Sequence, residues 1–131
     1  MAHLVLATHA HLAESYLETA KMIGGESMVN DVKTFCMTEG KNVDDFMQEV
    51  QDYVDLDPEG DYFVMVDLYA ASPCTTCVRV FGRYNYRLVT GLNLGMLLEI
   101  LACKDTCTIE ELEEKAIEAG KGGVERFYLH V

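Results

Sequence analysis

The chain has 131 residues, half of them hydrophobic, which suits one domain with a real core and is too apolar for disorder. Its 22 acidic and 10 basic residues give a formal charge of −12, which argues against nucleic acid or an anionic membrane surface as partner and would steer a basic protein toward it. No apolar run has the length of a membrane helix, no basic-then-apolar leader opens the chain, and five cysteines, an odd number, suit a reducing compartment; a cytoplasmic protein without direct membrane insertion is expected.

In chain order, the uncharged run Leu4 to Thr8 reads as a strand buried on both faces and ends at His9. From Ala10 to Ile23, apolar residues at Leu12, Ala13, Tyr16, Leu17, Ala20 and Ile23 follow helical spacing, which Gly24-Gly25 ends. Val32 to Met37 is a second short strand. Asn42 caps a helix whose stripe is Val43, Phe46, Met47, Val50, Tyr53 and Val54. A turn at Asp57 to Asp61 precedes the most apolar stretch, Tyr62 to Val66, a strand for the sheet centre. Ser72-Pro73 signals a helix start, with a capping hydroxyl and a proline at the first helical position. That helix runs to about Tyr84 with Cys74, Cys77, Val78 and Phe81 on one face. Tyr86 to Thr90 is a fourth strand, and Gly91-Leu92-Asn93 turns into a helix with Met96, Leu97, Ile100 and Leu101 inward. Thr108 and Glu111 form a capping box for a helix lasting to about Ala119, before Gly120-Lys121-Gly122-Gly123. The tail, Val124 to Val131, alternates with Phe127, Leu129 and Val131 on one side and reads as a last strand. The alternation of strand and helix predicts an α/β fold in a single domain spanning 1–131. Its sheet is mainly parallel with helices on both faces, the last strand antiparallel or at an edge.

Two strand ends carry ionisable groups without charged neighbours: His9 after the first strand and Asp67 after the third. First and third strands are commonly adjacent in doubly wound sheets, which would bring the two side chains together. A carboxylate that accepts a hydrogen bond from one imidazole nitrogen fixes the tautomer and leaves the other as nucleophile. Ser72, at a helix N-terminus on the same edge, adds a hydroxyl and free N–H groups suited to a phosphate. The bland reading is a turn histidine and a strand-end aspartate with structural jobs.

At these residues the chain resembles the IIA components of the mannose family of the bacterial sugar phosphotransferase system. The resemblance is carried by Leu4 to His9 with Leu12-Ala13-Glu14, by Val66-Asp67-Leu68-Tyr69 through Ser72-Pro73, by Val89 to Leu94 with Met96 to Glu99, and by Ala119-Gly120-Lys121. It implies an α/β domain, usually a homodimer joined in part by its terminal strands. It implies too that His9 accepts a phosphoryl group from the phosphocarrier HPr and passes it to a IIB component, with Asp67 orienting the histidine and Ser72 beside the site. No cofactor is implied, and the sugar is recognised by membrane components. The chain departs from the family pattern where glycines are usual: Ala10 follows the histidine, with an extra His11, and Ala70-Ala71 precede the serine–proline pair. Glycine in such loops permits positive φ or close backbone approach, so these alanines bear on loop shape.

Other readings compete. Thr8-His9-Ala10-His11 has the look of a two-histidine metal motif, but the barrels that carry it need roughly 200 residues or more. Cys74-Thr75-Thr76-Cys77 at a helix start is compatible with thiol–disulfide chemistry, yet both cysteines fall on the apolar stripe, where cysteine acts as a small hydrophobe. Cys103 and Cys107 lack partners at ligand spacing, and no metal ligands are assigned. A phosphotransfer subunit of a dihydroxyacetone kinase, or a regulatory binding module on the same fold, are the remaining alternatives.

Overall fold

The computed structural model describes residues 1–128. Four strands, β1 (His3–His9), β2 (Val32–Met37), β3 (Asp61–Val66) and β4 (Asn85–Val89), make one sheet in the order β2-β1-β3-β4, every pair parallel. Five helices cover it: α1 (Leu12–Gly24), α2 (Val43–Asp55), α3 (Ser72–Phe81), α4 (Leu94–Cys103) and α5 (Ile109–Gly122). A single 3-10 turn at Glu26–Val29 follows α1 and escapes a reading based on apolar periodicity.

The alternation of side chains along the two central strands splits the core in two. Leu4, Leu6, Phe63 and Met65 face α1, α4 and α5, where they meet Ala13, Leu97, Ile100 and Leu112. Val5, Ala7, Val64 and Val66 face α2 and α3, against Phe46, Val50, Cys77 and Phe81. Being buried on both faces explains why β1 and β3 read as unbroken apolar runs.

The helix starts are set by local chemistry. The Asn42 side chain accepts from the Asp44 N–H at 2.7 Å, and Thr108 and Glu111 close the expected capping box. Asn93 has a double role: its Oδ1 accepts from the Met96 N–H and its Nδ2 donates to the Gly120 carbonyl, both at 2.9 Å, so the start of α4 is tied to the end of α5. The α5 helix outruns its expected end because Gly120 is buried there against Met96; a Cβ would come 2.7 Å from that side chain's Cε.

Two expectations need correction. Ser72 does not cap α3: the cap position is Ala71, with φ −78° and ψ 172° and no side-chain hydrogen bond, and Ser72 is an exposed first-turn residue. The helix starts one residue early because Pro73, lacking an N–H, is as acceptable at the second position of the first turn as at the first. Of the terminal strand read over 124–131, residues 124–128 form no strand, with Val124 and Phe127 80% and 86% exposed, and 129–131, with Leu129 and Val131, lie outside the described residues. Among the described residues no helix is long and apolar enough to cross a membrane.

Candidate functional site

The site is built at the carboxyl ends of β1 and β3. The register pairs Ala7 with Val66, so the chain emerges from the sheet with His9 and Asp67 side by side. His9 Nδ1 lies 2.9 Å from Asp67 Oδ2, and the same oxygen accepts the His9 backbone N–H at 3.0 Å. Asp67 Oδ1 accepts the Leu68 N–H at 3.0 Å. Burial of Asp67 opposes its charge, but these hydrogen bonds and the adjacent imidazole prevail and hold its carboxyl below the usual range. An ionised carboxylate only accepts, so the proton between it and the ring is on His9 Nδ1. That leaves the Nε2 lone pair free. No described residue bonds to it, and the imidazole is 44% exposed whereas the Asp67 side chain is 10% exposed.

The turn after His9 is fixed from both sides. The Ala10 N–H donates to the Met37 carbonyl at 2.9 Å, continuing the β1–β2 ladder. Buried Thr8 points its hydroxyl at the start of α1, accepting from the Ala13 N–H at 2.8 Å. It takes on the work the cap residue leaves undone, since His11 occupies that position without a side-chain bond. Tyr16 was legible only as part of an apolar stripe. Its hydroxyl donates to the Leu92 carbonyl at 3.1 Å, and Leu92 N–H donates to Val66 O at 3.0 Å, so α1 is linked to the end of β3 through the β4–α4 turn. Burial, and then the Asp67 charge, push the Tyr16 phenol up, keeping it a neutral donor.

Ala10 and Ala70 take up left-handed backbone, φ 49° and 61°. Two of the three alanines at positions where the sequence pattern favours glycine therefore sit where glycine would be relaxed; Ala71, at φ −78°, does not.

The remaining candidates separate. Ser72 opens α3 on the same edge of the sheet, but no hydrogen bond joins it to His9 or Asp67 among the described residues. Cys77 is fully buried and its thiol is pushed up to about 12, by burial first and then by Cys74, so it stays a protonated core group and offers no thiolate for redox exchange. His9 and His11 diverge, the one on Asp67 and the other 3.5 Å from Glu14, and a four-stranded open sheet is no barrel. His3 bonds Asp57 at 2.6 Å at the opposite edge of the sheet; His130 lies outside the described residues.

A parallel α/β domain with an aspartate-held histidine at its carboxyl edge fits a class of phosphotransfer proteins, and the comparisons give the family. The sequence profile described as "PTS system fructose IIA component" matches residues 3–117, and the chain belongs to that family. It is 30% identical over 124 residues to the "PTS system mannose-specific EIIAB component" of Escherichia coli (strain K12), covering 92% of this chain and 38% of that protein's length. Among solved structures it is similar to the mannose/sorbose specific IIA subunit of Enterococcus faecalis, with 25% identity, TM-score 0.89, and 99% of this chain and 97% of that one covered. It also resembles the PTS IIA protein associated with the fucose utilization operon of Streptococcus pneumoniae, at 27% identity, TM-score 0.79, covering 95% and 96%. The expected family is thus the observed one, and neither the kinase-subunit nor the redox reading is favoured.

Two predictions follow from this geometry. Ala10→Gly and Ala70→Gly should each stabilise the fold by up to about 1 kcal/mol, because relief of left-handed strain exceeds the added unfolded-state entropy. Ala71→Gly should instead cost roughly 0.5–1 kcal/mol; urea midpoints of the three variants give the signs. Asp67 has a folded pKa below its unfolded one, so its contribution is complete above the ordinary aspartate range and fades as pH falls through the lowered value. The stability gap between wild type and Asp67→Asn should therefore close on acidification below about pH 4, the ordinary aspartate value. A gap that widens there would contradict the assignment.

Proposed function

We propose that this chain is a phosphohistidine carrier: His9 takes a phosphoryl group from phospho-HPr and hands it to the IIB component of the same system for sugar uptake. The observation that carries the reading is the free, exposed Nε2 of a ring whose other nitrogen is held by Asp67. In the forward step Nε2 attacks phosphorus, the N–P bond to the HPr histidine breaks, and its electron pair returns to that ring. Positive charge grows on the His9 imidazole as the new bond forms, and Asp67 compensates it without taking the proton, which stays on Nδ1. Transfer to IIB is the reverse displacement. Ser72 and the backbone N–H groups of the first turn of α3 face the phosphate oxygens. The partners are cytoplasmic proteins, and the carrier acts there, without cofactor or metal in the transfer.

The two residues have separable work. His9→Gln should abolish labelling by phosphoenolpyruvate, enzyme I and HPr, while Asp67→Asn should keep the site but slow transfer by about 10²-fold or more. The label should be acid-labile and base-stable, and His11→Gln should still take it. Undiminished labelling of the His9→Gln protein, or a label lost only with His11, would sink the assignment. A wild-type chain that HPr binds but never labels would point to a regulatory module instead.

We further propose that the carrier is a homodimer. Among the described residues β4 pairs with β3 alone, and a largely apolar cleft of about 650 Å³ beside it is lined by Tyr69, Val78, Leu88, Met96, Ile117 and Val124. The tail exposes Val124 and Phe127 to water, and apolar side chains of this kind suit the cleft of a second copy. Light scattering should give twice the chain mass at micromolar concentration, falling toward one mass when Val124–Val131 is deleted. A monomer unaffected by the deletion would rule this out.

A further inference from the structure

A second cluster of ligating side chains lies on the other side of the His9 turn, and the transfer chemistry makes no use of it. We propose that His11, Glu14 and Cys36 bind a borderline-soft divalent cation of the zinc type. One donor atom from each of the three lies within 4.8 Å of the other two. His11 and Glu14 stand three residues apart at the start of α1, with Nδ1 3.5 Å from Oε2. Cys36 comes from β2 and is buried, and it lines one cleft together with Glu14. Three ligands of three kinds thus converge from two elements that the fold itself holds together.

The donor set narrows the ion. A thiolate, an imidazole and a carboxylate are the ligands zinc and cobalt accept together, whereas magnesium and calcium want oxygen alone. Tetrahedral ligands at zinc-type bond lengths stand about 3–4 Å apart, so closing the site requires swings of an ångström or so. Cys36 is fixed by the sheet, while the His11 and Glu14 side chains are 69% and 61% exposed and have room to move. The adjoining cleft, lined by Cys36, Glu14, Lys41, Glu49 and Asp52, leaves the fourth position to water. The amine of Lys41 is engaged elsewhere, by the Cys36 carbonyl at 3.0 Å and the Glu49 carboxylate at 3.0 Å, so Glu14 has no lysine partner to lose. On binding, the Cys36 S–H bond breaks, its proton goes to buffer, and the sulfur electron pair forms the bond to the metal. The ion would brace the first turn of α1 against β2, next to the turn that presents His9, and so stabilise the folded chain by mass action.

The probe is Co²⁺ titrated into the full chain, stripped of metal and kept reduced. One equivalent should produce a thiolate-to-cobalt charge-transfer band with the intense visible bands of a four-coordinate ion, and Zn²⁺ should displace it and raise Tm. Cys36→Ser should remove the charge-transfer band. Because a buried change could also loosen the fold, the exposed variants His11→Gln and Glu14→Gln are the stricter test. Each should weaken binding by at least about tenfold, the low end of what losing even an outer-shell partner costs. Absence of the band at one equivalent overturns the proposal. So does unchanged affinity in both exposed variants, or a band that survives Cys36→Ser and is lost with Cys103→Ser. Phosphoryl labelling at His9 does not enter any of these readouts.

Discussion

The site hangs on one carboxylate. Asp67 accepts from the His9 ring, the His9 backbone and the Leu68 backbone, so it joins the ends of β1 and β3 just where the parallel ladder between them stops. Charge-assisted bonds of this kind are about twice as strong as neutral ones, and Asp67 has three, all within 3.0 Å, on a side chain that is 90% covered. The structural and chemical consequences are inseparable. The same oxygen that anchors the backbone of the turn also sets the imidazole tautomer, so the ring cannot be turned away from its task without loosening the turn that carries it.

Around that anchor the fold supplies rigidity from one side and looseness from the other. Thr8, Tyr16 and the Leu92–Val66 bond fasten α1 and the β4–α4 turn to the ends of the central strands. The loops that lead away from them are different: Ala10 and Ala70 accept left-handed backbone at a cost of about 1–2 kcal/mol each, where glycine would accept it freely. Strain of this size persists only where the surroundings over-determine it. Here they do, since Ala10 N–H is committed to Met37, Leu68 before Ala70 donates to Asp67, and Ala71 after it accepts from Thr75 in α3.

The sequence disclosed most of this for a physical reason. Buried parallel strands are unbroken apolar runs, so β1 and β3 stood out, and the ionisable residue ending each was conspicuous. Caps with side-chain acceptors, Asn42 and Thr108, were legible because their chemistry is local. What escaped is what depends on distance in space. Tyr16 looked like core because its apolar ring follows the helical period, and only the tertiary fold gives its hydroxyl the Leu92 carbonyl. Thr8 looked like strand. Ser72 carries a capping hydroxyl, yet Ala71 holds the cap position, since Ser-Pro marks a helix start without fixing which residue leads it. The tail read as a strand from a pattern that says a face must be covered but not by what.

The chain carries a second histidine–aspartate pair, and comparing the two shows why residue types alone do not define a site. His3 meets Asp57 through Nε2 at 2.6 Å, stacks on Tyr62 with ring centroids 4.9 Å apart, and meets Tyr53 edge-on. Its ring is wedged at the amino end of the sheet, where the strands begin. Asp57 there is 47% exposed, and among the described residues that oxygen accepts from the ring alone, so the pair clasps the start of β1 to the turn before β3. His9 has its ring bound by the other nitrogen, its partner buried, and its free nitrogen facing outward from the edge where α1 and α3 start. In an open parallel sheet the carboxyl edge is where crevices form and where helix starts present N–H groups to anions. The same two side chains thus make a clasp at one end of the β1–β3 pair and a poised nucleophile at the other, and what separates them is the direction of the strands.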